Sequence, residues 1–152
     1  MVIVVPFDGG ALSVAALQHA EHAAKLYDVS VVAVTVVPVD DVDYARERGW
    51  ISRDEAFEVQ TIVTRLRDQV TEICPEATFD YIPAGAYTSS GTISSKIRRY
   101  ARDNEASAVF IGSENAGRMV IGITSVGGRV AADLDYDVAI IRQPVSGDDL
   151  PS

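Results

Sequence analysis

The sequence predicts an α/β domain built on a five-stranded parallel sheet with helices on both faces. Three observations predict it. Valine-rich runs such as Val2–Val5 and Ser30–Val37 lack the polar alternation of half-exposed strands and suit strands covered on both faces. Stretches with helical apolar spacing separate these runs, and strand–helix alternation implies right-handed crossovers into one parallel sheet. At 152 residues and 47% hydrophobic content, the chain can bury about two-thirds of its unfolded surface around one core. One domain is expected over residues 1–143, followed by a loose polar tail at 144–152.

The elements follow in order. The first strand, Val2–Val5, ends at Pro6, and Gly9 and Gly10 make a turn. A helix is expected from Ala11 to Tyr27, with Leu12, Ala16, His19, Ala20, Ala23 and Tyr27 on one stripe. The second strand, Ser30–Val37, stops at Pro38. Residues Val39–Ile51 are acidic and irregular, an expected exposed connection with Trp50 at its end. Ser52 and Glu55 read as a capping box, so the next helix is expected to begin there. It carries Ala56, Val59, Ile62, Val63, Leu66, Val70 and Ile73 on one apolar face until Pro75 closes it.

A shorter strand is expected at Ala77–Ile82, then a loop over Pro83–Gly91. A third helix turns Ile93, Ile97, Tyr100 and Ala101 inward and ends near Asn104. Ser107–Ile111 is a buried strand, followed by a glycine-containing stretch from Gly112 to Gly122. A last helix brings Val126, Val130 and Leu134 to the sheet, and Val138–Ile141 is the last strand. In the order 3-2-1-4-5 the winding reverses between the first and fourth strands, and such sheets bind ligands beyond the carboxyl ends of their strands at that point. Asp8 and Gly112 follow those two strands.

Charge and composition narrow the function. With 22 acidic residues against 13 basic ones, the chain lacks the clustered cations that a phosphate-backbone surface needs, so nucleic acid is not an expected partner. Lys25 and Lys96 are the only lysines. An acidic, lysine-poor surface suits a high-salt, halophilic cytoplasm, where screening acts within a few Å; an ordinary acidic protein has the same composition, and both readings stay open. No apolar run approaches the roughly 20 residues of a membrane span, so a cytoplasmic protein without membrane insertion is expected. Cys74 has no partner for an internal disulfide and reads as a thiol at a helix end.

No catalytic constellation stands out. His19 and His22 share a helix and read as surface or packing residues. Thr88-Ser89-Ser90 reads as a loop and helix cap, and Arg98, Arg99 and Arg102 read as a solvated face. Asp8, just before a helix, reads as a cap first and as a ligand contact second. Gly112-x4-Gly117 is neither a P-loop nor a dinucleotide fingerprint.

Several segments together resemble the universal stress protein family in order and spacing across residues 1 to 142. They are Val5-Pro6-Phe7-Asp8-Gly9, Val34–Pro38, Gly91-x5-Ile97, Ile111-Gly112-Ser113, Thr124-Ser125-Val126 and Val138–Arg142. The resemblance implies an adenine nucleotide alpha hydrolase-like sheet and a nucleotide site. It places Asp8 and Val36 at the base, Gly112 at the ribose and Ser125 at the phosphates, with Pro6, Phe7, Asn115, Thr124 and Val126 at the adjoining positions. Nucleotide-binding members carry G-x2-G-x9-G-[ST]. Here Asn115 and Thr124 replace the second and third glycines, and the spacer between them is eight residues. Thr124 resists positive φ and close approach of a phosphate oxygen. Glu114 adds negative charge there, which Arg118 can offset.

The expected function is therefore a noncatalytic stress-response or regulatory protein without strong ATP binding. The alternative is an adenine-nucleotide sensor with at most slow hydrolysis. An electron-transfer or alpha-hydrolase relative is a third reading, but its motif is absent. The resemblance also implies a homodimer through Val138–Ile141, and a regulatory protein partner is expected.

Overall fold

A computed structural model describes residues 1–112 and 136–143. The chain runs β1 (Val2–Pro6), α1 (Ala11–Tyr27), β2 (Ser30–Pro38), α2 (Val42–Glu47), α3 (Val59–Ile73), β3 (Thr78–Ala84), α4 (Ser90–Asp103), β4 (Ala106–Gly112) and β5 (Asp137–Ile141). All five strands are parallel, in the order β3-β2-β1-β4-β5. This is the predicted sheet. The winding reverses between β1 and β4, which pair directly.

The unbroken valine runs are explained by cover on both faces. Ile3, Val5, Val31, Ala33 and Val37 pack with Ala16, Leu17 and Ala20 of α1 and with Ile62, Leu66 and Val70 of α3. Val4, Val34, Val36, Val109 and Ile111 point the other way, to Ile97 and Ala101 of α4. Each fully buried valine or leucine contributes about 1.5–3 kcal/mol relative to exposure, so both layers are needed.

Helix α1 begins after a tight turn. Gly9 has φ +84, and a Cβ there would also meet Gln69 Oε1 at 3.0 Å. The helix ends where Asp28 takes a left-handed conformation, φ 55, and its N–H bonds Ala24 O. Its inward face differs from the expected stripe. Leu17 and Ser13 are fully buried, whereas Tyr27 is exposed, because α1 also packs across the end of β4 at its first turn.

Two expectations between β2 and β3 are corrected. Residues 39–51 are not an irregular exposed connection: they hold the short helix α2, with Ala45, Trp50 and Ile51 buried. The Asp41 carboxylate caps α2 by accepting from Tyr44 N at 3.1 Å. Nor does a helix begin at Ser52. Ser52 N does donate to Glu55 Oε1 at 2.8 Å, half of the expected box, but α3 starts at Val59 and Ala56 is exposed. The Glu55 carboxylate is gripped by Arg65, at 3.0 and 2.6 Å, instead of completing a helical cap.

The remaining described elements match their expected places within two residues. β3 extends to Ala84 through Pro83, tolerated because β3 is an edge strand. Ser89 caps α4 by accepting from Thr92 N at 3.1 Å. The expected helix through Val126, Val130 and Leu134, and the tail at 144–152, lie outside the described residues.

Candidate functional site

Beyond the carboxyl ends of β1, β2 and β4 lies a cavity of about 350 Å³. Its floor is Pro6, Phe7 and Asp8 from β1 and the turn after it, Val34, Thr35 and Val36 from β2, and Ile111 from β4. One wall is Tyr44, Arg48 and Trp50, from α2 and the residues after it. The other is Ser90, Ile93, Ser94 and Ile97 from α4. The volume falls at the lower end of the roughly 300–1,000 Å³ that small-ligand sites occupy.

Asp8 is held rigidly. Its Oδ1 accepts from Gly10 N at 2.8 Å and from the Ser13 hydroxyl at 2.8 Å, and its backbone carbonyl accepts from Trp50 Nε1 at 2.7 Å. The N-cap of α1 is Gly10, which has no side-chain cap bond. Asp8 thus braces the turn into α1 and does not cap the helix from the N-cap position. The Thr35 hydroxyl donates to Phe7 O, tying β2 to the exit of β1.

The α2 wall is aromatic and cationic. Tyr44 and Trp50 meet edge to face with centroids 5.6 Å apart, and the Arg48 guanidinium lies 3.5 Å from the Tyr44 ring centroid. Burial pushes the Tyr44 phenol above its ordinary range; Arg48 pulls it down, and Asp8 and Asp41 add to the rise. Trp50 is anchored from behind, where Arg65 Nη1 donates to its carbonyl at 2.9 Å.

Of the residues expected at a site, Pro6, Phe7, Asp8 and Val36 line this cavity. Gly112 ends β4 one residue beyond Ile111. A Cβ on Gly112 would lie 2.8 Å from Leu12 Cβ and 3.2 Å from Leu12 O, so that glycine lets α1 cross the strand end. Asn115, Thr124, Ser125 and Val126 lie outside the described residues, as do Glu114 and Arg118. Sequence reasoning missed Tyr44, Arg48, Trp50, Ser90 and Ser94. The lone tryptophan closing an acidic stretch was the available signal, since an isolated Trp there needs somewhere to bury.

A second cavity of about 420 Å³ opens at the opposite end of the sheet, beside Glu21, Lys25, Asp28 and Cys74. Burial and then Glu21 push the Cys74 thiol up, which keeps it protonated. It lies away from the reversal of winding. Among the described residues no group of three or more His, Cys, Asp or Glu side chains is placed to hold a metal ion, and no helix is long and apolar enough to cross a membrane.

The chain is a doubly wound parallel α/β protein with a cavity at its switch point, the place where sheets of this class bind their ligands. The model of the universal stress protein family matches residues 1–142, and the chain belongs to that family. Solved structures share the fold. A universal stress protein in complex with cAMP has a TM-score of 0.55 at 16% identity, over 93% of this chain and 97% of that one. UspA from Lactobacillus plantarum has 0.55 at 17%, over 93% and 97%. A family protein from Burkholderia pseudomallei has 0.52 at 20%, over 93% and 96%. No curated protein matches the chain.

Proposed function

We propose that this protein is a noncatalytic, cytoplasmic stress-response regulator whose cavity takes a ligand of mononucleotide size and holds ATP weakly. The observation that carries the reading is the cavity at the reversal of winding, with Asp8 and Val36 in its floor. Its apolar floor and aromatic wall suit a flat ring, and its volume suits a nucleoside better than a nucleoside with a long phosphate chain. A structural relative was solved with cAMP, a mononucleotide.

Weak ATP binding follows from residues after β4. Asn115 and Thr124 stand at glycine positions of the family's phosphate loop, and Glu114 sets like charge against a triphosphate. Ser125 remains for a phosphate contact. Calorimetric titration tests the reading: AMP is expected to saturate, and ATP with magnesium to show no saturable heat below millimolar ligand.

The protein acts as a homodimer in this reading, paired through Val138–Ile141 across a two-fold axis, and passes its ligand state to a regulatory protein partner. β5 is a sheet edge with Ile140 37% exposed, and an apolar edge strand is a hazard if left open.

A further inference from the structure

We propose that Arg48 is the anion-recognising residue of the cavity, so that the site selects a ligand with a phosphate or carboxylate group set between α2 and α4. The inference rests on the reading of the cavity as a mononucleotide-sized site, and adds where the ligand's charge goes.

Arg48 is half-buried, lines the cavity and has its guanidinium carbon over the Tyr44 ring, 3.5 Å from the centroid. Among the described residues it has neither an ion pair nor a side-chain hydrogen bond; the ion pairs there are Lys25–Glu21 and Arg65–Glu55. In a chain of net charge -9, Arg48 is the one cation among the described residues that line this cavity. The two acids that act on Tyr44, Asp8 and Asp41, already accept hydrogen bonds. Asp41 accepts from Tyr44 N at 3.1 Å and Tyr87 N at 2.9 Å, and Asp8 Oδ1 accepts from Gly10 N and Ser13. The Tyr44 ring holds the planar fork in place and leaves its N–H donors open, the arrangement that suits bidentate binding of an oxyanion.

The facing wall supplies a second, independent observation. Ser94 is 8% exposed and its side chain lines the cavity. Ser90, one helical turn earlier, also lines it at the first turn of α4, where the helix field favours negative charge. Both hydroxyls line the cavity, and a serine O–H can donate to a ligand oxygen. Where the family's phosphate loop carries Asn115, Thr124 and Glu114, the α2–α4 side offers a cation and two hydroxyls.

The probes are AMP and adenosine, titrated into the full chain while following the emission of Trp50, the one tryptophan, which lines the same cavity. Wild type is expected to bind AMP about tenfold or more tighter than adenosine, the scale of a charge-assisted bidentate contact. Arg48→Leu is expected to erase that preference by weakening AMP far more than adenosine, with Arg48→Lys intermediate and Ser94→Ala reducing it. Near-ultraviolet circular dichroism checks that each variant is folded. Equal binding of the two probes by wild type overturns the inference and leaves the cavity reading intact. A preference that survives Arg48→Leu, or that falls instead in Ser125→Ala, also overturns it, by placing the charge on the phosphate loop. Failure of both probes to bind sinks the inference and the cavity reading together.

Discussion

Gly112 carries two demands on a single hydrogen atom. The resemblance to nucleotide-binding relatives sets it at a ribose, while the packing of α1 sets it against Leu12, where a Cβ would stand 2.8 Å from Leu12 Cβ. Backbone of Leu12 also lies within 3.2 Å, so a side-chain rotation alone does not relieve the clash. Gly112→Ala is expected to lose about 1–3 kcal/mol of stability, the usual cost of overpacking, measured as a lower urea midpoint with an unchanged slope. Asp8 was legible in the sequence because it follows a strand that a valine run marks, whereas Val36 came only from the family resemblance. Arg48, Trp50 and Ser94 were not legible. Trp50 Nε1 reaches Asp8 O across 42 positions in the chain, a relation that no local spacing encodes.

At the scale of elements, long periodic segments were legible and short ones were not. The apolar faces of α3 and α4 repeat over several turns, whereas α2 has six residues and one fully buried side chain, Ala45. Its capping residue, Asp41, looked like one more acid in an acidic stretch. The S-x-x-E pattern at Ser52 formed its local hydrogen bond without a helix, because Glu55 serves α3 from outside. Glu55 and Arg65 thereby strap the segment after α2 to α3, and the same Arg65 holds the Trp50 carbonyl. The paired bonds from Arg65 hold the Glu55 carboxyl down at about 2, against an ordinary 4.5. A carboxyl whose folded pKa is depressed stabilises the fold above its unfolded pKa and loses that contribution as pH falls toward the folded one. The window is therefore between about 4.5 and 2. Glu55→Gln is expected to lower the melting temperature at pH 7 by a small amount, since the pair is exposed, with the difference from wild type closing by pH 2. Parallel melting curves across that window would contradict the strap.

For the whole molecule, the sheet order was readable because parallel connections leave few arrangements for five strands, and the order found is the one expected. The quaternary proposal belongs at this scale. Ile111 pairs with Ile140 across β4 and β5, while among the described residues no strand lies on the far side of β5. Light scattering is expected to return dimer mass for wild type and monomer mass for Ile140→Lys, with far-ultraviolet circular dichroism unchanged; unfolding of the variant would assign that side chain to the core instead. The acidic surface makes ionic strength the variable to hold fixed, since salt screens exposed charges within about 8 Å at physiological strength.

The central claim is that the cavity accepts a mononucleotide and lacks the grip for a triphosphate. Calorimetry with AMP and with ATP plus magnesium, run on one preparation at one salt concentration, tests it most directly. The account predicts a saturable single-site isotherm for AMP and no saturable heat for ATP with magnesium at submillimolar ligand; a clear single-site isotherm for ATP, as tight as that for AMP or tighter, would contradict it.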